Sequence, residues 1–202
     1  MHHFFITQNK KYQYTDIVQY KKTQRKFIMR KSFLSALTVF MMPLLAHAAM
    51  PFVGTYQTID DETNKPKSIV QIYQYQDGND TEIGGRIIAL YDTYCKISET
   101  LSNPIRIADN VAGKPTMVGL DIIWNMEWDE DDNEYSDGKI MDPKSGKVYS
   151  SVIWQDTPGA LNVRGKIGPF GRTQKWNLLD GASVPSVLQN LDTSDWRPVI
   201  VK

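Results

Sequence analysis

Gly138-Lys139-Ile140-Met141-Asp142-Pro143-Lys144-Ser145-Gly146-Lys147-Val148-Tyr149 holds the turn chemistry that decides the fold of this chain. It is followed by Val163-Arg164-Gly165 and Phe170-Gly171-Arg172-Thr173-Gln174-Lys175-Trp176. In Asp142-Pro143-Lys144-Ser145-Gly146 the proline presets its own φ and the glycine supplies a positive one. Runs of β-branched and aromatic residues flank that turn, so the block reads as a β-meander. In Leu161-Asn162-Val163-Arg164-Gly165-Lys166-Ile167, apolar and polar side chains alternate and take opposite faces of a strand. Gly168-Pro169-Phe170-Gly171 reads as the next turn, since its glycines do not follow a phosphate-loop spacing.

Working outward, the same pattern predicts eight strands, over about 52–59, 67–75, 82–91, 117–127, 135–141, 147–155, 160–168 and 172–179. Turn signals separate them, among them Asp77-Gly78-Asn79-Asp80, the acidic run 129–134 and Thr157-Pro158-Gly159. Eight short antiparallel strands fit an all-β up-and-down barrel or a two-sheet sandwich. The barrel is the expectation, because closure removes exposed strand edges. Asp92 to Thr116 breaks the rhythm; a connection that long calls for ordered or helical structure packed over a barrel end. The barrel domain is then 49–180, with a C-terminal tail over 181–202 containing a short helix and an extended end.

The N-terminus reads as a removable segment. Phe33 to Leu45 is an apolar run of thirteen residues, preceded by Arg30-Lys31 and followed by Ala46-His47-Ala48-Ala49. That order marks a secretory signal peptide over 29–48, cleaved between Ala48 and Ala49. The run falls short of the roughly 20 apolar residues that span a bilayer. Met29 stands immediately before it, so residues 1–28 read as an upstream extension; the alternative is an unusually long basic n-region. Periplasmic or secreted localisation follows, with no transmembrane span after cleavage.

Charge, cysteine and histidine then exclude whole function classes. The chain balances 23 basic against 23 acidic residues, but past Ala48 there are 15 against 22, a net charge near −7. Phosphate backbones need a basic face, so a nucleic-acid partner is disfavoured. Cys95 is the only cysteine, which rules out an internal disulfide. His2, His3 and His47 all fall in the removed part. A chain without imidazole has no His-based triad, no Cys–His dyad and no His-containing zinc site. Cys95 therefore reads as a small half-buried side chain rather than an activated thiol.

Gly54-Thr55-Tyr56, Lys65-Pro66-Lys67-Ser68-Ile69-Val70-Gln71-Ile72, Gly119-Leu120-Asp121-Ile122-Ile123-Trp124 and the opening block together resemble one family. It is the exported bacterial family called domain of unknown function 2147, and the resemblance covers Phe52 to Leu179. It implies a Gram-negative export context and a small lipocalin-like β-barrel, with no established catalytic residues. The family pattern often has Trp where this chain has Tyr56, and paired cysteines where it has Cys95-Lys96-Ile97-Ser98.

Candidate sites follow from residue type. In lipocalin-type barrels an arginine on the last strand packs over an aromatic on the first. Arg172 over Tyr56, with Trp176 beside them, resembles that closure, and a stacked guanidinium contributes roughly 0.5–2 kcal/mol. The other reading of Arg172 is an anion-binding group. Tyr91, Leu120, Ile122, Trp124, Met126 and Trp154 are the candidate lining of an interior ligand pocket. Asp129 to Glu134 alternates oxygen ligands, but Glu134 stands where a calcium loop needs glycine and Ile140 where it needs a glutamate. It reads as a solvated hairpin tip, and Asp142 as a turn residue rather than an acid–base group. No metal, cofactor or catalytic residue is assigned. The expectation is a non-enzymatic barrel binding a small apolar or amphipathic molecule. The alternative is an envelope interaction or structural protein with a filled barrel.

Overall fold

Every hairpin predicted from turn chemistry is present in a computed structural model of the protein, which describes residues 50–201. The extension and the signal peptide with its cleavage site lie outside those residues. The strands are β1 (Gly54–Ile59), β2 (Pro66–Asp77), β3 (Asp80–Tyr91), β4 (Ile97–Thr100), β5 (Asp121–Asp129), β6 (Glu134–Ser136), β7 (Lys139–Met141), β8 (Val148–Thr157), β9 (Ala160–Ile167) and β10 (Phe170–Leu179). All pairings are antiparallel, and no α-helix occurs among the described residues.

Ten strands make eight barrel positions. β3 pairs directly with β5, leaving β4 as a short extra strand on β3. β6 and β7 both lie between β5 and β8 and form one interrupted strand. The interruption has a local cause: Asp137 sits at φ 59°, and a Cβ on Gly138 would lie 2.7 Å from the carbonyl oxygens of Trp124 and Asn125. Ordinary extended backbone does not fit there. The circle closes where β1 meets β10, with Thr55 opposite Leu179 and Thr58 opposite Trp176. The Asp142–Gly146 turn is as read: Gly146 N–H donates to the Asp142 carbonyl at 2.8 Å, with Gly146 at φ 71°.

Two apolar clusters share the sheet. One fills the barrel and includes Val70, Ile72, Ile87, Ile123, Met126, Ile153, Leu161 and Val163. The other lies on the opposite face of β2 and β3, through Ile69, Ile88 and Ala89, under Leu188 with Val184, Leu191 and Trp196. This explains why Ile69-Val70 and Ile87-Ile88-Ala89-Leu90 do not alternate: these strands are buried on both faces. The C-terminal tail is thus a packed cover. Its predicted helix is two short 3-10 turns, Gly181–Ser183 and Ser186–Leu188.

The long connection is ordered, as expected, and contains β4 rather than a helix. Glu99, almost fully buried, accepts from the backbone N–H of Ile105 at 2.9 Å and of Arg106 at 2.7 Å, and pairs with the Arg106 guanidinium. Burial opposes ionisation of that carboxyl, but the Arg106 contacts overcome it and hold its pKa below the usual range. Beyond it Ala108 and Val111 enter the interior cluster. Asn110 donates to the Lys144 carbonyl at 2.8 Å, tying the connection across one barrel end to the β7–β8 turn.

Candidate functional site

The barrel interior is packed with the protein's own side chains. Leu120, Ile122, Trp124 and Met126 are brought together there and shielded from solvent, alongside Tyr56, Tyr135 and Trp176. Both mouths are shut. At one, Phe52 meets Trp128 and Tyr135 edge-on at centroid distances of 5.6 and 5.8 Å, and the Tyr135 hydroxyl donates to the Pro51 carbonyl at 3.1 Å. At the other, Ala108, Val111, Val118 and Leu120 fill the opening. An eight-stranded barrel is just wide enough for side chains to occupy it completely.

Two residues proposed for that lining stand elsewhere. Trp154 lies on the outer face, because its neighbour Ile153 takes the inward position opposite Val163; its indole N–H donates to Asp156 at 3.0 Å. Tyr91 packs with the outer cluster, and its hydroxyl accepts from Gln57 Nε2 at 2.9 Å.

Closure also differs from the expected stack. Tyr56 is buried on β1, and burial pushes its hydroxyl up to about 12. Trp176 is 1 % exposed at the seam, opposite Thr58 and Leu161. Arg172 is not over Tyr56. It lies four residues before Trp176, its side chain is 66 % exposed, and it pairs with Asp61 of the β1–β2 turn. The β1–β10 ladder and buried Trp176 join the ends of the sheet, and Arg172 is a surface ion pair. Cys95 is likewise exposed, in a turn at φ 60°, rather than half-buried.

The most elaborate polar arrangement is one that sequence reasoning missed. Asp121, at the start of β5, is buried and accepts four hydrogen bonds. Arg86 Nε and Nη2 approach at 2.9 and 2.8 Å, the Tyr73 hydroxyl at 2.8 Å and the Val199 N–H at 2.8 Å. The Arg86 guanidinium also donates to the Arg197 carbonyl at 3.1 Å and lies 4.3 Å from the Trp196 ring centroid. Burial raises the Tyr73 hydroxyl pKa, and the Asp121 charge raises it further. Burial works against the Arg86 charge, yet Asp121 more than compensates and its pKa rises. The pattern offered one signal: Arg86 and Asp121 interrupt apolar strands, and buried charges need partners. Chemically the cluster is saturated and clamps the C-terminal segment onto the barrel.

A surface groove of about 530 Å³ lies between that segment and β1–β2, lined by Thr55, Gln71, Val184, Leu188, Gln189 and Leu191 among others. The acidic run forms the β5–β6 hairpin tip, where Asp129 Oδ1 accepts from the N–H of Asp131 and Asp132. Asp142 caps its own turn, accepting from Lys144 N–H at 3.0 Å and Ser145 Oγ at 2.7 Å. Among the described residues no group of three or more His, Cys, Asp or Glu side chains is placed to hold a metal, and no helix is long and apolar enough to cross a membrane.

The fold has a known counterpart. Protein HP1028 from the human pathogen Helicobacter pylori, described as belonging to the lipocalin family, is similar at a TM-score of 0.51 and 17 % identity, over 68 % of this chain and 88 % of that one. At that identity the likeness is one of fold, a lipocalin-like barrel. No curated protein matches the chain. The family model for uncharacterized proteins conserved in bacteria, DUF2147, matches residues 54–177, from the first strand of the barrel to the last. The chain belongs to that family.

Proposed function

We propose that the protein is exported to the periplasm after cleavage near Ala48 and acts there without catalysis, through contacts made on its outer surface. The observation that carries this reading is the interior: Trp124, Met126, Tyr135 and Trp176 occupy the space a carried ligand would need, and both mouths are closed. The lack of any histidine beyond His47 supports a non-enzymatic role. Native mass spectrometry of the protein recovered from its own periplasm tests the reading. The expected result is a clean apo mass, with no displacement of an apolar fluorescent probe by lipids. A retained small molecule would overturn it, as would recovery of the protein from the cytoplasm.

A second reading rests on the outer groove, whose volume falls within the range of small-molecule sites and whose lining mixes Leu188 and Leu191 with Gln71 and Gln189. Here the ligand is a small amphipathic molecule. Ala182→Trp fills the groove from an exposed position. It abolishes ligand retention under this reading while leaving Tm unchanged.

A further inference from the structure

The geometry points to the β9–β10 hairpin tip as a docking surface that sets the barrel end-on against an anionic phospholipid membrane. This rests on the surface-contact reading and names its partner.

Two large apolar side chains flank the Gly168-Pro169 turn and point to nothing: Ile167 is 62 % exposed and Phe170, its cross-strand partner, 79 %. Val148, at the same barrel end, is 47 % exposed. Such side chains are usually buried, and here three gather at one end. The turn suits an interface poor in water, because Pro169 has no N–H to leave unbonded.

Around this tip the charge is strongly one-sided. Between Gly138 and Trp176 the chain has seven basic residues and only two acids, Asp142 and Asp156. Lys139 and Lys166 both stand opposite Ser150, which puts them on one face, and Lys144 and Lys147 belong to the neighbouring β7–β8 turn. Arg164 leans over Gly171, where a Cβ would come within 2.6 Å of its Nε, and that buried Nε has no hydrogen-bond partner. Among the described residues none of these five cations is within ion-pair distance of a carboxylate. The acids at this end are largely engaged: Asp60 and Asp61 pair with Lys67 and Arg172, Asp142 caps its turn, and in the long connection Asp92 caps its own turn, Glu99 pairs with Arg106 and Asp109 with Lys114, leaving Glu62.

The opposite end is its electrostatic converse. In an up-and-down barrel alternate turns lie at alternate ends. The β2–β3 turn with Asp77 and Asp80, the β5–β6 turn with Asp129 to Asp132, and Asp156 beside the β8–β9 turn all lie away from the tip, and none carries Lys or Arg; Glu134, on β6 between the two ends, feels the Lys166 charge. An anionic surface therefore attracts one end and repels the other, which orients the barrel before contact. Phe170 and Ile167 then sit below the headgroups with the lysines at phosphate level. An acidic protein partner accounts for the lysines but not for two apolar side chains projecting side by side from a turn.

The test is flotation of the protein processed from the full chain with vesicles of phosphatidylethanolamine and phosphatidylglycerol, compared with pure phosphatidylcholine. Binding to the anionic vesicles is expected, and it weakens steeply toward about 1 M salt as charges are screened. Phe170→Ser lowers affinity by at least about tenfold, and Lys166→Glu by more than about fivefold, while Tm stays unchanged. Glu130→Gln, at the far end, leaves binding at the wild-type level or slightly above. Failure of the wild type to bind, or binding that survives both tip variants, overturns the proposal. A clean apo mass without vesicle binding overturns it alone and leaves an acidic protein as the partner. A retained small molecule overturns the surface-contact reading and leaves the vesicle result to be judged by itself.

Discussion

Replacing Asp121 with Asn removes one charge and keeps the shape, which isolates what the clamp contributes. The carboxylate accepts two bonds from Arg86, one from Tyr73 and one from Val199. An amide retains one acceptor oxygen and turns an NH2 toward donors, so the Arg86 charge, only 17 % exposed, loses its partner. Breaking a buried pair from one side costs about 3–5 kcal/mol. A domain of this length unfolds with an entropy of about 0.3 kcal/mol/K, so Tm falls by roughly 10–15 °C. The loss should concentrate where the clamp acts. Hydrogen exchange over 184–199 accelerates before that of the barrel strands, and the bonds at Tyr75 and Glu82 stay protected. Replacing both partners by apolar residues, Arg86→Met with Asp121→Leu, recovers part of the stability, because no unpaired charge remains although the Tyr73 hydroxyl and Val199 N–H lose their acceptor. A Tm change below about 2 °C for Asp121→Asn, or unchanged exchange in the C-terminal segment, would refute the reasoning.

Three further outcomes are expected. Gly138→Ala pushes a Cβ against Met126 and two carbonyl oxygens and costs about 3 kcal/mol, read as a Tm loss of about 10 °C; a neutral result would mean the β6–β7 break is not imposed there. Glu82 is buried, and burial raises its pKa, with Asp77, Glu127 and Asp80 adding repulsion against the bond from Tyr75. Its neutral form is favoured in the fold, so stability is full below the unfolded carboxyl pKa and declines as pH rises through the folded one. Glu82→Gln flattens that slope in denaturant titrations from pH 4 upward, and an unaltered slope would assign it to other groups. Arg172→Ala removes an exposed ion pair worth about 0–1 kcal/mol, so Tm moves by no more than about 3 °C; a larger fall would restore Arg172 as a closure element.

How far the pattern was readable depends on how many faces of a strand are covered. Leu161 to Ile167 alternates because β9 has one buried face, and Leu161 and Val163 share that face as read. In β8 both Val152 and Ile153 are buried, so alternation had two phases, and Trp154 was placed on the wrong one; only Val163 across the ladder decides it. The break at Asp137-Gly138 was invisible because it answers a crowded approach of β5, a tertiary contact. The strand read from 117 begins at Asp121, since Gly119 and Leu120 form backbone bonds with Ile87 before the ladder starts. Arg172 was misplaced by analogy: its distance along β10 from Trp176 puts it beside the β1–β2 turn instead of the β1 aromatic. The outer cluster was unreadable for a related reason, as Leu188 and Trp196 carry no periodicity and acquire meaning only once β2 and β3 lie beneath them.

The seam between β1 and β10 also sets a timetable. Chains emerge from a ribosome or a translocation pore with the N-terminal end first. Thr55, among the first barrel residues to appear, must wait for Leu179, among the last. Until then the hairpins can zip one after another, but the sheet has two open edges and no sealed interior. The slow step is a ring closure across nearly the whole domain, and such non-local contacts delay folding. The C-terminal cover comes later still. A chain stalled or trimmed before Asp180 would present unpaired β1 and bare Ile69, Ile88 and Ala89 together, the combination a folding helper or a protease would meet first.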